Sequence, residues 1–260
     1  MKSLFILATT LILSFTARAD FQFIDLSQSE VDEIFGELTT ANTFTSISGA
    51  GGLGSLFGFE LGLVGGQSDA GKIKELIQEA GGTYDGKLYH AGVLGRVTVP
   101  LGITGEINYM PELEADGAKL KMMGLAALIN LNATVLSGWP VDIGLRAHYA
   151  SMDLKFDQLI SSVNTNVSLE NTITGLQLLV SRNLIFAEPY AGIGVIQSKG
   201  DLSLVGNTFL ASAQQSASSD QSGTQWMVGS EFKLFIIKLG VEYGKILDDS
   251  RVSGKLSFYF

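Results

Sequence analysis

The sequence predicts an all-β chain closed on itself: a transmembrane up-and-down antiparallel β-barrel of about ten strands, with a short amphipathic helix before it. Three observations predict this. Apolar residues alternate with polar residues or glycine, the period of a β-strand, through ten segments of the chain. Short and long connections alternate between those segments. The chain is 46% hydrophobic, 17% charged and rich in glycine, with 31 Gly, yet it has no run of about 18 apolar residues beyond its N-terminus.

The N-terminus reads as an address. Met1–Ala19 carries Lys2, an apolar run from Leu4 to Phe15, and the small-x-small sequence Ala17-Arg18-Ala19 before Asp20, so cleavage is expected after Ala19. A membrane anchor is disfavoured because the run is only about a dozen residues and a spanning helix needs about 20. No Cys follows, which excludes a lipoprotein, and the absence of Cys from the whole chain excludes a disulfide scaffold, a Cys-ligated zinc site and a thiol enzyme. Beyond residue 19 there remain 15 basic and 26 acidic residues, a net charge of -11. With a pI near 4.7, no nucleic-acid partner is expected.

Residues 20–55 form a separate N-terminal segment, expected on the periplasmic side. Val31, Ile34, Phe35 and Leu38 make an apolar stripe opposed by Glu30, Asp32, Glu33 and Glu37, and Ser27 with Glu30 makes a capping box. Such a helix must bury its stripe. It either plugs the periplasmic mouth or lumen, or rests on the barrel rim or the membrane surface. A second helical pattern, Ile73, Leu76, Ile77 and Ala80, lies in the first outer connection.

The barrel is expected over residues 56–260. In order, segment 56–65 sets Phe57, Phe59, Leu61 and Leu63 against Gly58, Glu60 and Gly62. Segment 88–99 sets Tyr89, Val93 and Val97 against His90, Gly92 and Arg96, and 101–110 sets Ile103, Ile107 and Tyr109 against Thr104, Glu106 and Asn108. Segment 141–149 opposes Ile143, Leu145 and Tyr149 to Asp142, Arg146 and His148. Trp226, Val228 and Phe232 oppose Gly229, Glu231 and Lys233, and Leu239, Val241 and Tyr243 oppose Lys238, Gly240 and Glu242. Segments near 119–131, 167–182 and 185–198 alternate less cleanly, and the last runs from Val252 to Phe260. Twelve strands remain open if 40–48 and 201–211 also pair.

A soluble sandwich would carry many charges on its polar faces, and these faces carry Gly, Ser and Thr with few charges. A barrel in lipid turns the apolar side outward, so the inversion is preferred. Connections near 100, 132–140, 183–189 and 234–237 are short; those at 66–87, 111–118, 155–166, 199–222 and 246–251 are longer and polar. The short ones are assigned to the periplasm. Tyr89, Tyr109, Tyr149, Trp226 and Tyr243 then form one aromatic girdle, and Phe57, Phe232, Phe258 and Phe260 the other.

The last nine residues, with Gly254, Leu256, Phe258 and the terminal Phe260, resemble the C-terminal signal of bacterial outer-membrane proteins. The whole chain is similar to an uncharacterised family of exported Gram-negative barrels. The resemblance implies insertion by the barrel assembly machinery and contact with outer-membrane lipid and lipopolysaccharide; it supplies no mechanism.

The inward parity collects the candidate lumen-lining and binding residues: Glu60, His90, Arg96, Glu106, Asp142, Arg146, His148, Glu231, Lys233, Lys238, Glu242 and Lys255. The charges balance, five acids against five bases, which favours cross-lumen ion pairs over a single-sign filter. Inward glycines such as Gly92, Gly144, Gly194 and Gly240 leave room for water, the N-terminal segment or a slim ligand. Gly49-Ala50-Gly51-Gly52-Leu53-Gly54 matches GxGxxG, but a strand follows it; Gly81 to Gly86-Lys87 imitates a P-loop, but Leu88 replaces the Ser/Thr. No cofactor, metal or catalytic set is assigned; Glu112, Glu114 and Asp116 read as a solvated acidic turn. The leading function is a narrow or gated passage for small solutes or apolar molecules. A non-conducting structural or surface-interaction barrel is the alternative, with an outer-membrane hydrolase using His90 or His148 third.

Overall fold

A computed structural model describes residues 26–54, 57–79, 81–115, 117–160, 163–207 and 212–260; the expected signal peptide lies outside them. Helix α1 (Gln28–Asn42) is followed by β1 (Gly58–Asp69), helix α2 (Gly71–Glu79), β2 (Lys87–Val99), β3 (Ile103–Ala115) and β4 (Ala118–Asn130). Then come β5 (Asp142–Ile160), β6 (Val163–Ser181), β7 (Ala187–Asn207), β8 (Ser212–Leu234), β9 (Ile237–Ile246) and β10 (Asp249–Tyr259). Each strand pairs antiparallel with its sequence neighbours, and β1 pairs with β10 from Glu60↔Tyr259 to Ser68↔Arg251, so ten strands close the barrel and leave no sheet edge. Phe59 and Phe260 seal the seam with two backbone hydrogen bonds of 2.9 Å. The twelve-strand alternative fails, since residues 43–48 stay outside the sheet and 201–207 prolong β7.

Alternation sets the sides. Leu61, Val97, Ile107, Leu145, Val195, Val241 and Phe258 face outward and are exposed, while Glu60, Arg96, Glu106, Arg146, Glu242 and Lys255 on the same strands are buried inside. Of the expected girdle, Tyr109, Tyr149, Trp226 and Tyr243 are exposed, and the Trp226 and Tyr243 rings meet edge to face at 5.6 Å.

The long polar connections require correction. Apart from the stretch holding α2, they are mostly strand: β3 and β4 are separated by residues 116–117 and β9 and β10 by 247–248, while β5 to β8 reach 19 to 23 residues each. Beyond the apolar belt both faces of a strand can meet water, so the period-two signal fades although the backbone ladder continues.

Helix α1 begins on the expected capping box: Ser27 N–H donates to the Glu30 carboxylate at 2.8 Å, and Ser27 Oγ accepts from Glu30 N at 3.3 Å. It lies inside the barrel, in the lumen rather than on the rim or the membrane surface, and at the end where the strands are longest rather than at the short-turn mouth. The reason is the wall it meets. Met110, Leu120, Met152, Leu154, Val167, Leu169, Leu202 and Leu204 all point inward at that end and cluster with Val31, Ile34, Phe35 and Leu38. Helical periodicity identifies a stripe but not the surface that receives it. Burying the four stripe residues stabilises the docked helix by about 6–12 kcal/mol, an upper estimate at about 1.5–3 kcal/mol per side chain.

Candidate functional site

From α1 the chain runs the length of the lumen toward the short turns before entering β1. Three contacts mark its course. Phe44 stacks on His148 with ring centroids 6.4 Å apart, Ile47 is fully buried beside Gly240, and Leu53 N–H donates to Thr98 Oγ1 at 2.9 Å near the short-turn rim. The wall is cut to fit this thread. A Cβ on Gly124 would sit 2.6 Å from the Phe44 ring, and one on Gly240 would sit 2.8 Å from Ile47. Ile47 adopts φ 49°, an unusual conformation for a β-branched residue, held by burial on all sides.

Below α1 the lumen is crossed by a charged lattice. Glu60, Arg96 and Glu106 occupy directly paired positions on β1, β2 and β3, with Arg96 Nη1 2.7 Å from Glu60 and Nε 2.8 Å from Glu106. Arg146 of β5, whose partner on β4 is Leu128 while that of Glu106 is Ala126, reaches diagonally across β4 to place Nε 2.9 Å from the second Glu106 oxygen. Lys255 bridges Glu60 at 2.8 Å and Glu231 at 2.6 Å, and Lys238 lies 3.4 and 3.5 Å from the same two carboxylates. The polar chain continues from Arg146 through Gln177 and Gln225 to His148. These charges are buried, and their opposite signs interleave, so each is compensated by a neighbour.

The lattice grips the thread through hydroxyl groups. Arg146 Nη2 donates to Ser46 Oγ and Ser48 Oγ, both at 3.0 Å, and Thr45 donates to Glu242 at 2.8 Å. Ser181 Oγ accepts from Ala50 N–H at 3.0 Å and donates to Glu188. At the other end, Thr39 Oγ1 and Ser198 Oγ are 2.6 Å apart, and Arg251 Nη1 donates to the carbonyls of Thr40 and Thr43. A helix C-terminus without basic residues thus receives its cation from the wall.

Glu37 joins α1 to the first hairpin. Its carboxylate accepts from the backbone N–H groups of Lys72 and Ile73, the free donors at the start of α2. Burial pushes its pKa up to about 7, with Asp249 of β10 and Glu33 of α1 adding like charge against the Lys72 and Ile73 donors. Because the docked state raises this pKa, Glu37 favours docking most below its free value of about 4.5 and the contribution is lost as pH rises through about 7. The release of α1, followed by cleavage with a glutamate-specific protease, is therefore expected to speed up between pH 5 and 8, flanking that value. Glu37→Gln should flatten the profile, and an unchanged slope in that variant would contradict the assignment.

The structure places all twelve sequence-selected lumen residues on the inner side but does not gather all of them. Asp142 stands at the short-turn rim on Asn130, and Lys233 pairs there with Glu188 at 2.9 Å. His90 contacts Ser253 Oγ at 3.0 Å and His148 contacts Gln225; among the described residues neither meets a carboxylate. Gly254 lies on the outward parity of β10 together with Leu256 and Phe258, and the terminal Phe260 is exposed beside them. Sequence reasoning missed Arg251, Glu188, Tyr190, Gln177 and Ser198. Arg251 lay in a stretch read as loop, and extending the alternation of Val252 to Phe260 backward by one residue would have found it. No serine or threonine of the thread was singled out, since these residues carry no periodic signal; only the GxGxxG match at 49–54 and the possible strand at 40–48 touched it.

The family described as "Family of unknown function (DUF6588)" matches residues 61–245, most of the barrel. The chain belongs to this family. No curated protein matches it. Among solved structures it is similar to Ail, the attachment invasion locus protein of Yersinia pestis, at 12% identity over 78% of this chain and 97% of that one, with TM-score 0.35. It is also similar to the translocator domain of the autotransporter NalP from Neisseria meningitidis (9% identity, 79% and 88% covered, TM-score 0.45). A third is the P. putida toluene transporter TodX (10% identity, 79% and 90% covered, TM-score 0.35).

Proposed function

We propose that the protein is an integral bacterial outer-membrane barrel whose lumen is a gated passage, kept shut by its own N-terminal segment. One observation carries this reading. Helix α1 and the thread after it occupy the lumen from the long-strand end to the short-turn rim, with nearly every residue from Val31 to Ala50 buried. The exposed apolar exterior supports a membrane setting, with the short turns in the periplasm and α1 at the outer end. The thread is held by hydrogen bonds to hydroxyl and backbone groups, which water can replace when it leaves, and the lattice behind it is compensated within the wall. Such a wall survives opening.

Planar-bilayer conductance of the refolded chain, with and without residues 20–50, tests the proposal. The full chain should pass almost no current and the truncated one at least about tenfold more, once circular dichroism shows that its strands have formed. A folded truncated barrel that stays silent would favour a structural or surface-interaction role.

A further inference from the structure

The compartment that α1 fills has the make-up of a ligand site. Its wall is apolar where a water-filled lumen would be polar: Met110, Leu120, Met152, Leu154, Leu169 and Leu202 project inward from β3 to β7. Its floor carries one buried cation directed at the occupant. Arg251 Nη1 donates to Thr40 O at 3.2 Å and also to Thr43 O, while Nη2 faces Glu242 at 3.6 Å. Glu242 is itself engaged by Tyr190 and Thr45, both at 2.8 Å, so the Nη1 edge is the one turned to the compartment. Asn171 Nδ2 and Ser198 Oγ complete the floor around Thr39 Oγ1. Among the described residues no ion pair ties α1 to a strand; its acids meet Lys72 of α2 instead. The helix therefore sits there as an apolar body with an electronegative end, about 22 Å long at about 1.5 Å per residue.

We propose that α1 holds the place of an exogenous ligand, and that the compartment binds an amphipathic molecule with a long apolar chain and a carboxylate head. The tail lies along the leucine and methionine wall and the carboxylate takes the two oxygen positions on Arg251 now filled by Thr40 and Thr43. Ligand and helix compete for one volume, so binding displaces the plug. This rests on the gated reading, and names what opens the gate.

Dodecanoate is the probe, with dodecyltrimethylammonium as its counterpart of equal chain length and opposite charge. The protein is a Thr39→Cys/Ser198→Cys variant in lipid nanodiscs, measured by equilibrium dialysis against empty discs. Reduced protein should bind dodecanoate at least about tenfold more tightly than the oxidised, cross-linked form, and at least about tenfold more tightly than the cation. Dodecanoate should also speed protease cleavage of α1 in the wild-type chain. Arg251→Gln should retain folded strands and bring the two amphiphiles within about threefold. Equal binding by oxidised and reduced protein, or equal binding of anion and cation, overturns the proposal. If the truncated chain conducts while dodecanoate neither binds nor exposes α1, the ligand is wrong and the gate stands; binding without conductance in any form would leave the ligand site and remove the passage.

Discussion

Arg146→Leu is expected to lower the stability of the refolded protein by about 3–5 kcal/mol in urea titrations on vesicles. The loss has two parts. Arg146 is fully buried, and its removal leaves one Glu106 oxygen without the cation 2.9 Å away. It also frees Ser46 and Ser48, whose hydroxyl groups accept from Nη2. Stripping one partner from a buried pair costs more than removing both, so Arg146→Leu/Glu106→Leu should recover part of the loss, with Arg96 still held by Glu60. A single-variant loss below about 1 kcal/mol would mean that the lattice is wet, as exposed ion pairs are.

Phe35→Asp is expected to free the plug while the barrel stays closed. Phe35 is almost wholly buried among the inward leucines and lies against the backbone at Gly200, where no side chain intervenes. Truncating such a ring costs about 3–5 kcal/mol, and placing a carboxylate there adds the cost of an unpaired buried charge. That approaches the upper estimate for the whole stripe, so α1 should spend much of its time undocked. A glutamate-specific protease should then cut at Glu30, Glu33 or Glu37 at least about tenfold faster than in wild type. Cleavage at the wild-type rate would place Phe35 outside the docking surface.

The barrel was legible because its signal is periodic and its boundary conditions are severe. Lipid demands an apolar residue at each outward position, that is at every second residue, and Leu61, Val97, Ile107 and Leu145 meet that demand on their strands. Inward positions carry no comparable constraint. Glu106 and Arg146 could be placed on the inner side by parity, but their diagonal pairing across β4 depends on the register between β3, β4 and β5, which alternation leaves undetermined. The apolar inner wall was hidden for a different reason. Met110, Leu120 and Leu169 break the simple rule of a polar interior, and they do so because α1 supplies the other half of a core. The glycines gave the clearest hint of the thread. Gly240 and Gly144 are clearances for Ile47 and Ala50, though sequence alone left water, a ligand and the N-terminal segment equally able to claim the space.

The central claim is that α1 rests inside the lumen and closes it, and a cross-link tests it most directly. Thr39 Oγ1 and Ser198 Oγ are 2.6 Å apart on plug and wall, so thiols placed at these two positions face one another, and the chain has no cysteine of its own. Oxidised Thr39→Cys/Ser198→Cys protein should form the intramolecular bond nearly completely and hold the bilayer silent under every condition that opens the wild type, with openings returning on reduction. Folded protein that fails to cross-link, or that conducts equally before and after reduction, would contradict a helix seated in the barrel as its gate.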